Sequence, residues 1–178
     1  MAIETTRRQV LTAPLALCVT ACRKSGPDLS GFTEEEPPHL SSMIRMADPR
    51  AASQLLSGWY QVEDNAWRWT ARNFVAVLRP PPGSATLGAV LEFRFTIPEV
   101  VIKLLKSVTI SANVRSFRLS PESYLRPGDD DYARDIPPGV LSGDSVRVDF
   151  TLAKAILPSQ SDGRELGVIA HSLSLETK

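Results

Sequence analysis

Four aromatic side chains fall within eleven positions, Trp59, Tyr60, Trp67 and Trp69, and they include every tryptophan of the chain. Exposed aromatic faces stack on sugar rings, so such a group could form a platform for a glycan. Trp67 and Trp69 are two residues apart, which places them on one face if the segment is a strand. The same rings would otherwise pack a core or seal a sheet end, since each buries a large area. Arg68 points opposite to the two tryptophans and is expected to form a structural ion pair with Glu63 or Glu165.

Asp129, Asp130 and Asp131, with Asp135 close by, supply oxygen ligands of the kind calcium takes. Their spacing fits no calcium loop, and Pro127 and Pro137 bracket them, so a solvated turn is the expectation and no metal site is assigned. Two histidines, His39 and His171, are fewer than a zinc site usually needs. No Gly-x-Ser-x-Gly elbow, Walker loop or dinucleotide glycine pattern occurs. A carboxylate pair for glycoside hydrolysis would be assembled only by folding, and nothing singles one out. The chain is expected not to be an enzyme, and no catalytic residue or cofactor is assigned.

The elements that must carry these side chains begin with a leader. Arg7 and Arg8 form a positive n-region, and Val10 to Val19 is an apolar run of signal-peptide length, about half of what a membrane span requires. Val19-Thr20-Ala21-Cys22 resembles the lipobox of bacterial lipoproteins. That resemblance implies lipid on the Cys22 thiol, cleavage before Cys22 and a second acylation on its amino group. Several acyl chains anchor stably where one is marginal. Thr6-Arg7-Arg8-Gln9-Val10-Leu11 is similar to the twin-arginine export motif, with Val10 in place of the favoured aromatic and Thr12 in place of lysine. The general secretory route stays open beside it. The expected location is the cell envelope, on a membrane facing the periplasm or the exterior.

Cys18 and Cys22 are the two cysteines. With Cys18 removed and Cys22 acylated, the mature domain would hold neither thiol nor disulfide. The formal net charge is zero, which argues against a nucleic-acid partner, because phosphate contacts need a basic face. The divisions expected are a signal peptide over 1–21, a flexible tether over 22–47 and one folded domain over 48–178. The tether carries Gly26-Pro27 and Glu34-Glu35-Glu36-Pro37-Pro38, too polar to offset ordering entropy. Leu40, Met43, Ile44 and Met46 are expected to dock as a short helix. Asp48 as N-cap and Pro49 at the first helical position predict a further helix that Gly58 ends.

Beyond Gly58 the apolar period becomes two. It runs through Phe74-Ala76-Leu78, Leu91-Phe93-Phe95, Val108-Ile110-Ala112-Val114, Val146-Val148-Phe150-Leu152 and Ile169-His171-Leu173-Leu175. One apolar and one polar face mark antiparallel strands wetted on one side. Turn clusters at Pro80–Gly83, Pro127–Asp130, Pro137–Gly139, Ser142–Asp144 and Ser161–Gly163 separate them. The prediction is an all-β, jelly-roll-like sandwich of roughly seven to nine strands, with one helical turn from Pro98 to Lys106.

Two stretches bring a family resemblance: Gly58-Trp59-Tyr60-x-x-Glu63 with Trp67-Arg68-Trp69-Thr70, and Asp162-Gly163-Arg164-Glu165-Leu166-Gly167-Val168. Together they resemble β-sandwich modules, similar to carbohydrate-binding modules, found beside bacterial glycosyltransferases and in cell-envelope proteins. The resemblance spans about Pro49 to Leu175. It implies a jelly roll in an envelope or glycan context and transfers no catalytic residue. The expectation is a lipid-anchored binding module, with Trp59, Trp67 and Trp69 as candidate ligand contacts. The alternative is an assembly lipoprotein that binds other envelope proteins and takes no small ligand; a glycan hydrolase is the remote third reading.

Overall fold

A computed structural model describes residues 39–178. Ten strands form one curled antiparallel sheet in which every pairing is antiparallel. The leader, Arg7, Arg8, Cys22 and the first part of the tether lie outside the described residues.

Two leaves face each other. One is built from β8 (Gly128–Ile136), β4 (Ala89–Ile97) and β10 (Ile169–Thr177), with β1 (Met43–Arg45) along β10. The other holds β2 (Leu55–Glu63), β3 (Trp67–Leu78), β9 (Val146–Leu152) and β5 (Val108–Val114), with the short β6 (Phe117–Arg118) and β7 (Glu122–Tyr124) on β5. The leaves join through β3, which is twelve residues long. Its far half pairs with β9, and its near half pairs with β10 at Trp69↔Ile169 and Arg68↔Ala170.

The predicted alternation of β4, β5 and β9 is borne out, since their inward residues are buried. Phenylalanines close the space between the leaves. Phe74 stacks on Phe150 at 4.8 Å, and Phe93 lies 5.5 Å from Phe74 and 5.1 Å from Phe150. Such pairs add to the stabilisation from burial alone. The turn after Pro98 is present as the helix α2 (Glu99–Leu105). A one-turn helix, α1 (Ser84–Leu87), links β3 to β4.

Four expectations are corrected. Residues 41–47 belong to the folded body rather than to a tether: Met43–Arg45 is a strand on β10, not a helix, and Ile44 and Met46 are buried. Asp48 and Pro49 do start a helix, but it is a single 3-10 turn, Pro49–Ser53. Gly58 does not end it. It sits inside β2 at positive φ, where a Cβ would lie 2.0 Å from the Asn73 carbonyl, at a place where the β2–β3 register shifts. Glycine there answers a close backbone approach at a bulge.

The third correction is Asp129–Asp131, which is strand rather than turn. It lies in β8, paired in unbroken register with β4 from Ile97↔Gly128 to Ala89↔Ile136. An edge strand has one wet face and one unpaired side, and charge there guards against further pairing. The fourth is the face of β10. A bulge between Ala170 and Ser172 reverses it, so Ala170 is buried while Ile169 and His171 are only half-buried. Leu173 and Leu175 keep the predicted orientation.

Candidate functional site

The two stretches singled out in the sequence meet in space. β2 and β3 are joined by a tight turn with Asp64 and Asn65 both at positive φ, 51° and 52°. The Ala66 amide donates to the Glu63 carbonyl. Asp and Asn tolerate this left-handed geometry, whose twist suits a hairpin. Against this hairpin lies the segment 162–168. Arg164 reaches Glu63 at 2.6 Å and Asp162 at 3.0 Å, and its guanidinium lies over the Tyr60 ring at 5.3 Å. The Asp162 hydrogen bond, and then that of Glu63, hold the Arg164 pKa above its usual value. The Glu165 amide donates to the Tyr60 hydroxyl. The Gly167 and Val168 amides donate to the Thr70 carbonyl and hydroxyl oxygens.

Gly167 is required by this closeness. A Cβ there would lie 2.4 Å from a Leu152 methyl and 2.6 Å from the Thr70 hydroxyl. Within the segment, a turn is closed by the Asp162–Arg164 salt bridge at 3.0 Å. Arg68, however, pairs with neither Glu63 nor Glu165. It donates to the carbonyls of Met46 and Tyr60 at 3.0 and 2.9 Å. Arg164 takes Glu63, and Glu165 accepts from the Arg72 amide.

Segment 162–168 thus clasps the hairpin, and the bulged pairing of β2 with β3 separates the three tryptophans. Trp59 turns inward. It meets Phe74 edge-on at 4.9 Å, and its indole N–H donates to the Val75 carbonyl at 2.8 Å. Trp67 and Trp69 lie on the face of β3 opposite to buried Thr70. All three tryptophans are half-buried, and Trp69, like Trp59, packs against the core, while Trp67 does not. The rings of Trp67 and Trp69 are 6.3 Å apart and nearly perpendicular, at 83°. They are not a coplanar platform for an extended ligand. They present one ring face beside one ring edge.

Residues paired across a sheet share a face. Register therefore carries the Trp69 face across three further strands: Trp69↔Ile169, Ile169↔Thr96 and Thr96↔Asp129. The bulge brings His171 onto this line. The Thr96 hydroxyl is hydrogen-bonded to an Asp129 carboxylate oxygen and lies 2.6 Å from His171 Nε2. A carboxylate only accepts, so Thr96 donates to Asp129 and accepts from a His171 Nε2–H. The outer face thus carries one strip, aromatic at β3, apolar at Ile169 and polar at β4 and β8.

In the sequence Asp129 stands in an acidic run read as a solvated turn, and His171 stands alone in a strand. Thr96 was missed. Only the register of three strands connects them, and no spacing in the chain signals it. Asp129, Asp131 and Asp135 do not converge: Asp135 pairs with Lys178 at 2.9 Å, and no cluster suited to a metal occurs among the described residues. A cavity of about 620 Å³ lies by the entry of the chain, lined in part by Ser41, Ile44, Asp48, Arg50 and Gln54. The Gln54 amide there is engaged with Ser41 and Val77. No tryptophan lines it.

No family model and no curated protein matches the chain. Among solved structures it is similar to an acetyl xylan esterase (Est2A) from the rumen bacterium Butyrivibrio proteoclasticus. The TM-score is 0.44 and the identity 7%, covering 76% of this chain and 33% of that one. The chain thus spans about a third of that enzyme's length. A likeness of this degree carries no argument about activity.

Proposed function

We propose that this is an exported envelope protein, lipid-anchored at Cys22, whose β-sandwich binds a glycan through the outer strip of β3, β10, β4 and β8. The observation that supports binding is the placement of Trp67 and Trp69 on the outer face, in line with Ile169, Thr96 and Asp129. Glycan sites combine an aromatic surface for the sugar ring with hydrogen-bonding groups for its hydroxyls, and both are here on adjacent strands. The perpendicular indoles suit one sugar ring seated between a face and an edge rather than two rings in a row. The lipobox-like Val19–Cys22 and the Arg7-Arg8 leader support the location.

Binding is tested by following tryptophan emission while polysaccharides are titrated. A saturable shift lost in Trp67→Ala and kept in Trp59→Phe supports the strip. An emission unmoved by any polysaccharide, with the fold intact, sinks the reading in favour of an assembly protein without a small ligand. Anchoring is tested by palmitate labelling in a bacterial host. Label present in the native chain and absent in Cys22→Ala is the expected result.

A further inference from the structure

The polar end of the strip has a composition that bears on which glycan it takes, an inference that rests on the glycan reading above. The Thr96 hydroxyl has its one proton committed to Asp129, and it accepts from His171. What remains for a ligand are acceptors. The Asp129 carboxylate has capacity beyond one hydroxyl, and in the neutral imidazole with its proton on Nε2, His171 Nδ1 is an acceptor. The neighbouring outer face carries charges of both signs, Asp131 and Glu92 with Arg94 and Arg45, so the negative charge nearest the ligand end is that of Asp129. Asp131 sits two residues along the same face of β8, opposite Arg94 in register. Arg94 is itself drawn to Glu92 at 2.6 Å, and that bond raises its pKa first, with Asp131 contributing less. Arg45 lies across β10 on β1, in register with Ser172, and the nearby Asp48 is paired with Arg50 at 2.9 Å.

We propose that Asp129, Thr96 and His171 are the specificity-determining end of the strip and select neutral, hydroxyl-bearing saccharides over uronic-acid ones. A sugar hydroxyl is a donor and meets acceptors. A uronate carboxylate is an acceptor with a charge of the same sign, and like charges facing each other are the usual means by which an interface rejects a wrong partner. Trp69 and Asp129 are three strands apart, about 14 Å at normal strand spacing. A short oligosaccharide therefore reaches the indoles and the polar end together.

The test titrates the purified protein with three probes: hexasaccharides of β-1,4-glucose, of β-1,4-N-acetylglucosamine and of α-1,4-galacturonate. At low salt at least one neutral probe is expected to bind roughly ten-fold more tightly than galacturonate, or better. Asp129→Asn keeps the shape and removes the charge, so it is expected to bring galacturonate to within about three-fold of the neutral probe. Salt is expected to narrow the gap in the native protein as well, because exposed charges are screened. A structural role alone would produce neither change. Thr96→Val, with an unchanged melting temperature as control, is expected to weaken neutral binding several-fold by releasing the acceptors from their positions.

Equal binding of neutral and acidic probes, or an Asp129→Asn variant that alters neither, overturns the selectivity while the glycan reading stands. Failure of all three probes overturns both.

Discussion

Trp59 and the pair Trp67/Trp69 are eight residues apart and belong to one hairpin, yet they do opposite things. Trp59 is held from both ends, by an edge contact with Phe74 and an N–H bond to Val75, and it meets Phe93 at 6.3 Å. Trp67 and Trp69 touch each other edge-on, on the outer face of the sheet. In the sequence all three form one aromatic cluster. The difference comes from the bulged pairing of β2 with β3, which places Trp59 opposite Thr70 rather than beside the other two. Aromatic density in a sequence therefore marks a region, while the pairing of its two strands decides which rings support and which meet a ligand.

The largest effect should come from the inward ring. Trp59 is half-buried, but Trp59→Ala leaves a hole against Phe74 and Phe93 and strands the Val75 carbonyl, and it is expected to destabilise the domain by about 2–3 kcal/mol. Denaturant unfolding measures it. A loss below about 1 kcal/mol would mean that Trp59 is not a core residue, and the contrast with Trp67 would fail.

Next comes the bulge that creates the contrast. Gly58→Ala must place a methyl at positive φ and against the Asn73 carbonyl. The left-handed backbone alone costs a non-glycine residue about 1–3 kcal/mol, and the clash adds to it. The expected outcome is a lower melting temperature together with a change in tryptophan emission, because the register that orients Trp59 shifts. A stable variant with native emission would show that the bulge does not depend on glycine.

The legibility of these regions follows from where water lies. β4, β5 and β9 are central strands with one buried face, so their alternation could be read directly. β8 pairs with β4 along its whole length, but Asp129–Asp131 hid it, because an edge strand tolerates residues that a central strand refuses. β10 was half legible, since one inserted residue at His171 reverses the face on which Ile169 and Ala170 fall. The partner of Arg68 was unreadable for another reason. Several carboxylates and carbonyls lay within a long side chain's reach, and only the fold of 162–168 decides that Arg164 takes Glu63. The polar end of the strip is the extreme case: Thr96, Asp129 and His171 come from three strands, and only register joins them.

A smaller effect should appear with acid, and it probes the clasp that holds the hairpin. Hydrogen bonds from Arg164 lower the Asp162 pKa below its ordinary 3.8, and those from Arg50 do the same for Asp48. A carboxyl with a depressed folded-state pKa contributes stability above its unfolded value, and that contribution is lost as pH falls through the folded value. Both groups are reached by solvent, so the contribution is modest and screened by salt. The melting temperature is expected to hold down to about pH 4 and to decline below it. In Asp162→Asn the decline should be shallower, because one of the two carboxyls no longer titrates. An identical acid profile in the variant would remove Asp162 from the clasp.

The smallest effect on stability belongs to the outward ring, and that smallness is what gives it meaning. Trp67 is half-buried and rests on Trp69 rather than on the phenylalanine stack, so Trp67→Ala removes one edge contact and a partly wet surface. It is expected to cost about 1 kcal/mol or less, below Trp59→Ala, while Trp emission on polysaccharide titration should lose its shift. A ring that matters to ligand and little to fold is the signature of a binding surface. A Trp67→Ala variant as unstable as Trp59→Ala would place both rings in the same structural role. The outer strip would then lose its claim to be a site.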